Sequence, residues 1–149
     1  KALQDGELYI KELLGQLEVV TVEGNVIESY NIPGDNMPFP LSLDEGCYDG
    51  IAGGCEEYAN VQKLQVVLLY QLSSVPFNLD ADGKFGNNTE ESVIQYLNSL
   101  GAAYLEQNGY EINYISENNQ SVADFSGINY ITQELYENDI LPQYQQIIN

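Results

Sequence analysis

The side chains of this sequence that could carry out chemistry are carboxylates, tyrosines, lysines and one pair of cysteines. The 149 residues include 23 Asp or Glu, 12 Tyr, 2 Cys and 4 Lys or Arg, but no His. Without histidine there is no imidazole to act as general base for a serine or cysteine nucleophile, or to bind zinc. Two cysteines are too few for a Cys₄ zinc site or an iron–sulfur cluster. We expect no cofactor and no bound metal.

The many acids raise the question of a carboxylate glycosidase. Such an enzyme holds two acids roughly 5–9.5 Å apart across a cleft. Among 23 acids some pair would satisfy that distance by chance, and no lysozyme-like motif accompanies them. We therefore interpret most of the acids as a solvated surface and predict that the protein is not an enzyme.

The net charge excludes some classes of binding partner. It is −19, so the chain would repel phosphate backbones and anionic lipid headgroups, and we exclude nucleic acids and membrane surfaces as partners. Hydrophobic residues make up 44% of the chain, which indicates a folded protein. There is no apolar run of about eighteen residues, so we expect no membrane insertion. Because the chain begins at Lys1, we also expect a mature or processed product.

Two cysteines bracket a short glycine-containing loop. Cys47 and Cys55 are separated by residues 48–54, among which three glycines would let the chain curl back. A disulfide here would stabilise the fold by about 2–3 kcal/mol on the chain-entropy estimate. The alternative is two unpaired thiols of a cytosolic protein. A disulfide fits the acidic composition better, and it predicts an extracellular, cell-envelope or virion protein.

One segment partly matches a calcium-binding loop. Asn78, Asp80 and Asp82 occupy positions 1, 3 and 5 of such a loop, and Gly83 occupies position 6. Position 12, which normally supplies a bidentate glutamate, is Thr89. Because the strongest ligand is missing, we predict no tight site and keep calcium as a weak alternative.

The N-terminal part of the chain is interpreted as an extension. Helical spacing of apolar residues predicts a helix over residues 1–15, with Asp5 as a cap and Gly15 as the stop. Two β-branched runs around Gly24-Asn25 predict a hairpin over residues 17–22 and 26–32. Residues 33–55, rich in proline and glycine, are predicted to be an irregular connector and the domain boundary.

Helical patterns dominate the rest of the chain. One helix is predicted to run from Glu56 to Pro76, a second from Asn88 or Thr89 to Gly101, and a last one over residues 129–138, stopped by Pro142. Residues 109–120 alternate like a short exposed strand or a long loop. Tyrosines crowd this half, and their aromatic faces suit either a neutral sugar or a polar protein interface. They are Tyr104, Tyr110, Tyr114, Tyr130, Tyr136 and Tyr144.

Residues 61–68 and 82–96 carry the most specific pattern, V-x-x-L-Q-x-x-L followed by D-G-x-F-G-x-x-T-x-x-x-V-x-x-Y. It resembles the small three-helix peptidoglycan-binding domain of cell-wall hydrolases, spore proteins and phage lysins. The positions in common are Val61, Leu64, Gln65, Leu68, Asp82, Gly83, Phe85, Gly86, Thr89, Val93 and Tyr96.

The same residues also have a structural interpretation. Gly83 and Gly86 permit positive φ where the chain turns sharply into a helix. Phe85 can fill the core between two helices, and Thr89 can cap the second helix. A generic helix–turn–helix is therefore the alternative to the family resemblance.

Together these features predict a mainly α protein with a small β part. We expect a three-helix peptidoglycan-binding-like bundle over residues 56–149, with an insertion near 103–120, and an N-terminal helix and hairpin extension over residues 1–55. The resemblance implies a non-catalytic module that attaches to bacterial cell-wall glycan as a secreted or virion component. The charge favours an alternative, because anionic wall polymers would repel the chain: a structural or interaction protein of a phage particle or surface assembly, which meets a partner with a basic surface.

Overall fold

The computed structural model describes residues 8–47, 54–72 and 79–149. A three-stranded antiparallel sheet comes first, helices follow, and a separate two-stranded hairpin precedes the C-terminal helical segment. In chain order the elements are β1 (Leu8–Leu13), β2 (Gln16–Thr21), β3 (Val26–Asn31), α1 (Ala59–Gln71), α2 (Asn87–Leu100), α3 (Ala102–Gln107), β4 (Asn113–Glu117), β5 (Gln120–Asp124), α4 (Gln133–Leu135), a π-helical turn (Tyr136–Ile140) and α5 (Leu141–Ile148).

This is a mixed α/β domain, so the prediction of a mainly α protein built on a three-helix bundle is wrong. Two antiparallel sheets make the difference: β1–β3, called the N-terminal sheet below, and β4–β5, called the C-terminal hairpin. Among the described residues α1 and α2 are the two long helices, and the others are short.

The predicted helix over residues 1–15 is wrong for the part that the structure describes. Residues 8–13 form β1, which pairs with β2 through a tight turn at Leu14 and Gly15, both with positive φ. Pairing buries Ile10 beside Val19. That packing outweighs the helical spacing of the apolar residues, because tertiary contacts override local propensity. Asp5 lies outside the described residues.

The hairpin around Gly24-Asn25 is confirmed as β2 and β3, with a register shift next to Val19. The disulfide is confirmed as well: Cys47 and Cys55 are bonded, with their Cα atoms 4.8 Å apart. A disulfide is compatible with an extracellular protein.

The sheet and the helices bury their side chains in one cluster. Ile10 and Leu17 from the N-terminal sheet pack with Leu64 and Leu68 of α1 and with Ile140 from the C-terminal segment. Buried residues from both sides of the predicted boundary near residue 55 therefore share a core.

The two long helices lie close to where the pattern predicted them. α1 ends at Gln71, and Pro76, the expected stop, lies outside the described residues. α2 ends at Leu100, and Gly101, the predicted stop, follows it with a positive φ of 87°. The expected insertion near 103–120 contains most of α3 and all of β4. In the described part of the chain no helix is long and apolar enough to cross a membrane.

The C-terminal helix differs from its prediction in both start and end. It begins at Gln133 and continues past Pro142 to Ile148. Just before the proline, the N–H of Leu141 bonds to the carbonyl of Tyr136, five residues back, which makes a π turn. Proline lacks an N–H and interrupts a regular α ladder. Here the ladder already changes to π spacing at this point, so the helical segment continues.

Candidate functional site

The side-chain amide of Gln65 makes hydrogen bonds to several residues of the motif that resembles the wall-binding family. Gln65 lies on α1 and is 1% exposed. Its Oε1 accepts a hydrogen bond from the N–H of Gly83 at 2.8 Å, and its Nε2 donates to the carbonyl of Lys84 at 2.9 Å and to Thr89 Oγ1 at 3.0 Å. One buried side chain thus ties the first helix to the loop that leads into α2.

A second buried glutamine, one helical turn earlier, was missed by the sequence reasoning. Gln62 Nε2 donates to the carbonyl of Asn31 at 3.0 Å and to that of Ala81 at 2.9 Å. It joins α1 to the end of β3 and to the start of the motif loop. The three-residue spacing from Gln65, which places both amides on one helix face, was the available signal.

Close packing explains the glycine at position 83. Gly83 has φ +81°, and a Cβ there would lie 2.8 Å from the carbonyl oxygen of Tyr58. The two backbones are joined, since the N–H of Tyr58 donates to the carbonyl of Gly83 at 2.9 Å. Next to it, burial raises the pKa of the Asp82 carboxyl, although hydrogen bonds from the Lys84 N–H and Gln65 oppose the shift.

The remaining motif residues also serve packing. Leu64, Phe85 and Val93 are fully buried. Gly86 precedes α2 with φ −103°, so the positive φ expected of it is wrong, and Thr89 does not cap α2 but accepts the hydrogen bond from Gln65. The structure therefore brings the predicted residues together, but as an internal joint between α1 and α2. Of the residues matched to the family only Asp82 is half-buried and the others are buried, so they present little surface to a sugar chain.

Tyr96 belongs to a second polar cluster, on the π turn. Its hydroxyl donates to Asp139 Oδ1 at 2.5 Å, the hydroxyl of Tyr104 donates to Asp139 Oδ2 at 2.7 Å, and Gln143 Nε2 donates to Oδ1 at 2.8 Å. Gln71 at the end of α1 in turn donates to Gln143. One carboxylate thereby links α2, α3 and the C-terminal segment.

The side chains around Asp139 connect elements of the fold. Burial and the hydrogen bond to Asp139 raise the pKa of Tyr104 to about 12, and the same two causes raise the pKa of Tyr96. Both phenols therefore stay protonated near neutral pH and are poor nucleophiles or bases. The sequence reasoning noted the tyrosines but not their shared acceptor, Asp139.

Carboxylates elsewhere are also paired with phenols. Tyr144 donates to Glu12 at 2.9 Å, which joins α5 to β1, and Tyr30 donates to Glu28. Within the described ranges a single ion pair is found, Lys84 with Glu57 at 3.9 Å. Because the chain has so few cations, hydroxyl groups are the donors to several of its acids.

One open depression lies beside the disulfide. It has a volume of about 480 Å³. Its two carboxylates, Glu56 and Glu57, are exposed, and Lys84 is already paired with Glu57. An exposed acid lacks the desolvated setting of a glycosidase general acid. The lining residues are Pro33, Gly34, Cys55, Glu56, Glu57 and Lys84.

The weak calcium alternative gains no support. Asn78 lies outside the described residues, Asp80 accepts a hydrogen bond from Tyr30 at 3.4 Å, and Asp82 accepts one from the Lys84 N–H at 3.0 Å. Over the residues that the structure describes, no group of three His, Cys, Asp or Glu side chains is placed to hold a metal ion.

The exposed apolar side chains are concentrated on the two β units. Apart from Leu43 and Tyr70, every large apolar side chain exposed in the described part lies on the N-terminal sheet, the C-terminal hairpin or their turns. Contiguous exposed apolar patches mark interaction sites, and Ile115 and Val122 lie side by side on one face of the hairpin. The residues are Tyr9, Leu13, Leu14, Val22, Val26 and Ile27 on the sheet, and Tyr114, Ile115 and Val122 on the hairpin.

Comparison with known proteins gives no relative: no family model, curated protein or solved structure matches the chain. The resemblance of residues 61–96 to the peptidoglycan-binding domain therefore stays a prediction.

Proposed function

We propose that this protein is a non-catalytic docking module that works outside the reducing cytosol, as part of a surface or virion assembly. The observation that carries the proposal is the placement of exposed apolar side chains on two β units. Contiguous exposed apolar surface is typical of protein–protein interaction sites. The disulfide between Cys47 and Cys55 supports the compartment.

Charge supports a protein partner of opposite sign. The net charge is −19, and residues 85–149 contain no lysine or arginine. A field of one sign attracts a basic surface and repels copies of itself. The partner would therefore present lysine or arginine around an apolar centre.

The buried polar clusters support the non-catalytic part of the proposal. The hydroxyl groups around Asp139 have raised pKa values, and the amide of Gln65 is fully engaged within the fold. Both clusters stabilise the junctions between helices and leave the surface to binding.

Salt response tests the docking function. The chain is fractionated under native conditions from the cells or particles that contain it, at about 0.15 M and about 1 M salt, where the Debye length falls from about 8 to about 3 Å. We expect a large complex at the lower salt that releases the chain at the higher salt. A free chain at both salt concentrations would contradict docking.

Binding to bacterial cell-wall glycan is a second candidate function, which the motif of residues 61–96 supports. Because the motif side chains are buried, a glycan would have to contact exposed aromatic rings such as Tyr70 or Tyr114. Retention on purified peptidoglycan sacculi at about 1 M salt would favour this candidate, since contacts with neutral sugars survive screening. No retention on the sacculi would contradict this candidate.

A further inference from the structure

The C-terminal hairpin is the most solvent-exposed unit of secondary structure. All five residues of β4 are exposed, and in β5 only Ala123 and Asp124 are half-buried. Ile115 and Val122 pair across the strands, so their side chains share one face, and they are 47% and 39% exposed. An isolated two-stranded hairpin is marginal in water, and of the apolar side chains of this one Ala123 packs against the core. This one would gain from a third strand.

The edges of the N-terminal sheet are protected against further pairing. β1 carries Lys11 and Glu12 along its edge, and β3 carries Glu28 beside the register shift. Charged side chains and bulges are the usual means by which proteins prevent an edge strand from pairing with another chain. A partner strand is therefore disfavoured at these edges.

Among the described residues no further strand pairs with the outer edge of β4, and this edge has fewer of these safeguards. Its five residue pairs with β5 stay in one register, and its middle residues, Tyr114, Ile115 and Ser116, are uncharged. An unprotected edge offers a row of backbone N–H and C=O groups to an incoming strand. Such an edge persists in natural proteins where pairing is its use.

Carboxylates surround this edge. Glu106 accepts a hydrogen bond from the Tyr114 hydroxyl at 3.3 Å, Glu117 ends β4, and Asp124 ends β5. Glu111 is exposed just before β4. The pattern is an apolar centre with an acidic rim, which complements a segment that alternates apolar and basic side chains.

We propose that the free edge of β4 is the docking site and that it takes an extended basic segment of a protein partner as an added strand. This inference rests on the proposed docking function and names its surface. Backbone hydrogen bonds to β4 hold the segment, its apolar side chains contact Tyr114 or Ile115, and its cations reach Glu106 and Glu117. A second copy of this chain is the disfavoured occupant, because each copy carries −19.

A labelled synthetic peptide of alternating valine and lysine is the probe, titrated into the full chain at low salt. The matched peptide carries N-methyl groups on alternate backbone nitrogens, which removes strand-pairing donors and keeps the charge. We expect the unmodified peptide to bind at least about tenfold more tightly, because main-chain bonds supply the affinity of strand addition. Equal binding of the two peptides would overturn strand addition at β4.

A matched pair of variants locates the site. Ile115→Lys and Ile27→Lys introduce the same charge at side chains of similar exposure, 47% and 51%. We expect Ile115→Lys to weaken peptide binding by about tenfold and Ile27→Lys by less than about threefold. A positive charge disfavours pairing with a further strand only at the edge that carries it. Circular dichroism of both variants checks that the fold is kept. Equal losses, or a chain that dimerises through the hairpin, would overturn the β4 proposal and leave docking by charge intact.

A peptide of alternating valine and glutamate separates the two proposals. If it binds as tightly as the lysine peptide, charge does not select the partner, and both the docking function and the β4 site fail. If the lysine peptide binds more tightly but both variants bind it normally, only the β4 site fails.

Discussion

The amide oxygen of Gln65 on α1 accepts a hydrogen bond from the backbone N–H of Gly83 at 2.8 Å. This contact fixes the loop that carries the D-G-x-F-G string against the first helix, where Gln65 is almost fully buried. The motif that resembles a wall-binding domain is therefore a joint inside the fold. The exposed apolar side chains lie mainly elsewhere, on the N-terminal sheet and the C-terminal hairpin.

Replacing the central amide should destabilise the protein strongly. We expect Gln65→Leu to lower the free energy of unfolding by about 2–4 kcal/mol, because each buried polar group left without a partner costs about 1–3 kcal/mol. The control is Gln95→Leu, an exposed position on α2, which should change stability by less than about 0.5 kcal/mol. Urea unfolding measures both, and equal effects would show that the amide network contributes little.

The close approach at Gly83 gives a second prediction. Gly83→Ala places a methyl group 2.8 Å from the carbonyl oxygen of Tyr58 at φ +81°, whereas Gly127→Ala at φ +82° meets nothing within 4 Å. The control should cost about 1–2 kcal/mol, from the strained backbone alone. Gly83→Ala should cost at least about 1 kcal/mol more, since the backbone of Tyr58 must also move. Thermal or urea unfolding of the two variants measures the difference, and equal losses would contradict the close packing.

Much of the fold could be read from short-range patterns. The hairpin at Gly24-Asn25, the end of α2 before Gly101 and the disulfide between Cys47 and Cys55 all follow from local signals. β1 could not be predicted in this way, because its apolar residues also fit helical spacing. Pairing with β2, which lies further along the chain, decides the structure.

The contacts within the polar clusters also could not be predicted from local sequence patterns. The buried packing of Phe85 follows from its pattern, but the acceptor shared by Tyr96 and Tyr104 is Asp139, far away in sequence. The predicted helix over residues 129–138 also ends before Asp139, which lies in the π turn that continues the helical segment. Long-range placement of a carboxylate leaves no local signal.

Alkaline pH should unfold the protein over a defined range. Burial raises the pKa of Tyr110 and of Tyr136 to about 12, and burial with the Asp139 hydrogen bond does the same for Tyr104. The pKa of tyrosine in an unfolded chain is about 10. Because the folded pKa is raised, the stabilisation is fully present below about pH 10 and is lost as the pH rises to about 12.

Two measurements check this range. Urea unfolding at a series of pH values should give constant tyrosine-linked stability up to about pH 10 and a steep decline above it. Phenolate absorbance should show a group of late-ionising tyrosines that titrate together with unfolding. Ionisation of all twelve tyrosines near pH 10 in a still-folded chain would contradict the burial of these phenols.

Loss of the disulfide should weaken the fold by a modest amount. The bond between Cys47 and Cys55 closes a short loop, so the double variant Cys47→Ser/Cys55→Ser should lose about 2–3 kcal/mol of unfolding free energy. A reductant should lower the stability of the unaltered chain by the same amount and leave the double variant unchanged. Insensitivity of the unaltered chain to the reductant would show that the bond contributes nothing to stability.

Amide hydrogen exchange of the chain inside its low-salt complex tests docking through the C-terminal hairpin most directly. At about 0.15 M salt we expect the amides of Asn113–Glu117 to be protected relative to the chain released at about 1 M salt, because a partner strand at the β4 edge excludes water from them. The amides of α1 should exchange equally in both states. Unchanged exchange in β4, together with new protection elsewhere or nowhere, would contradict docking through this hairpin.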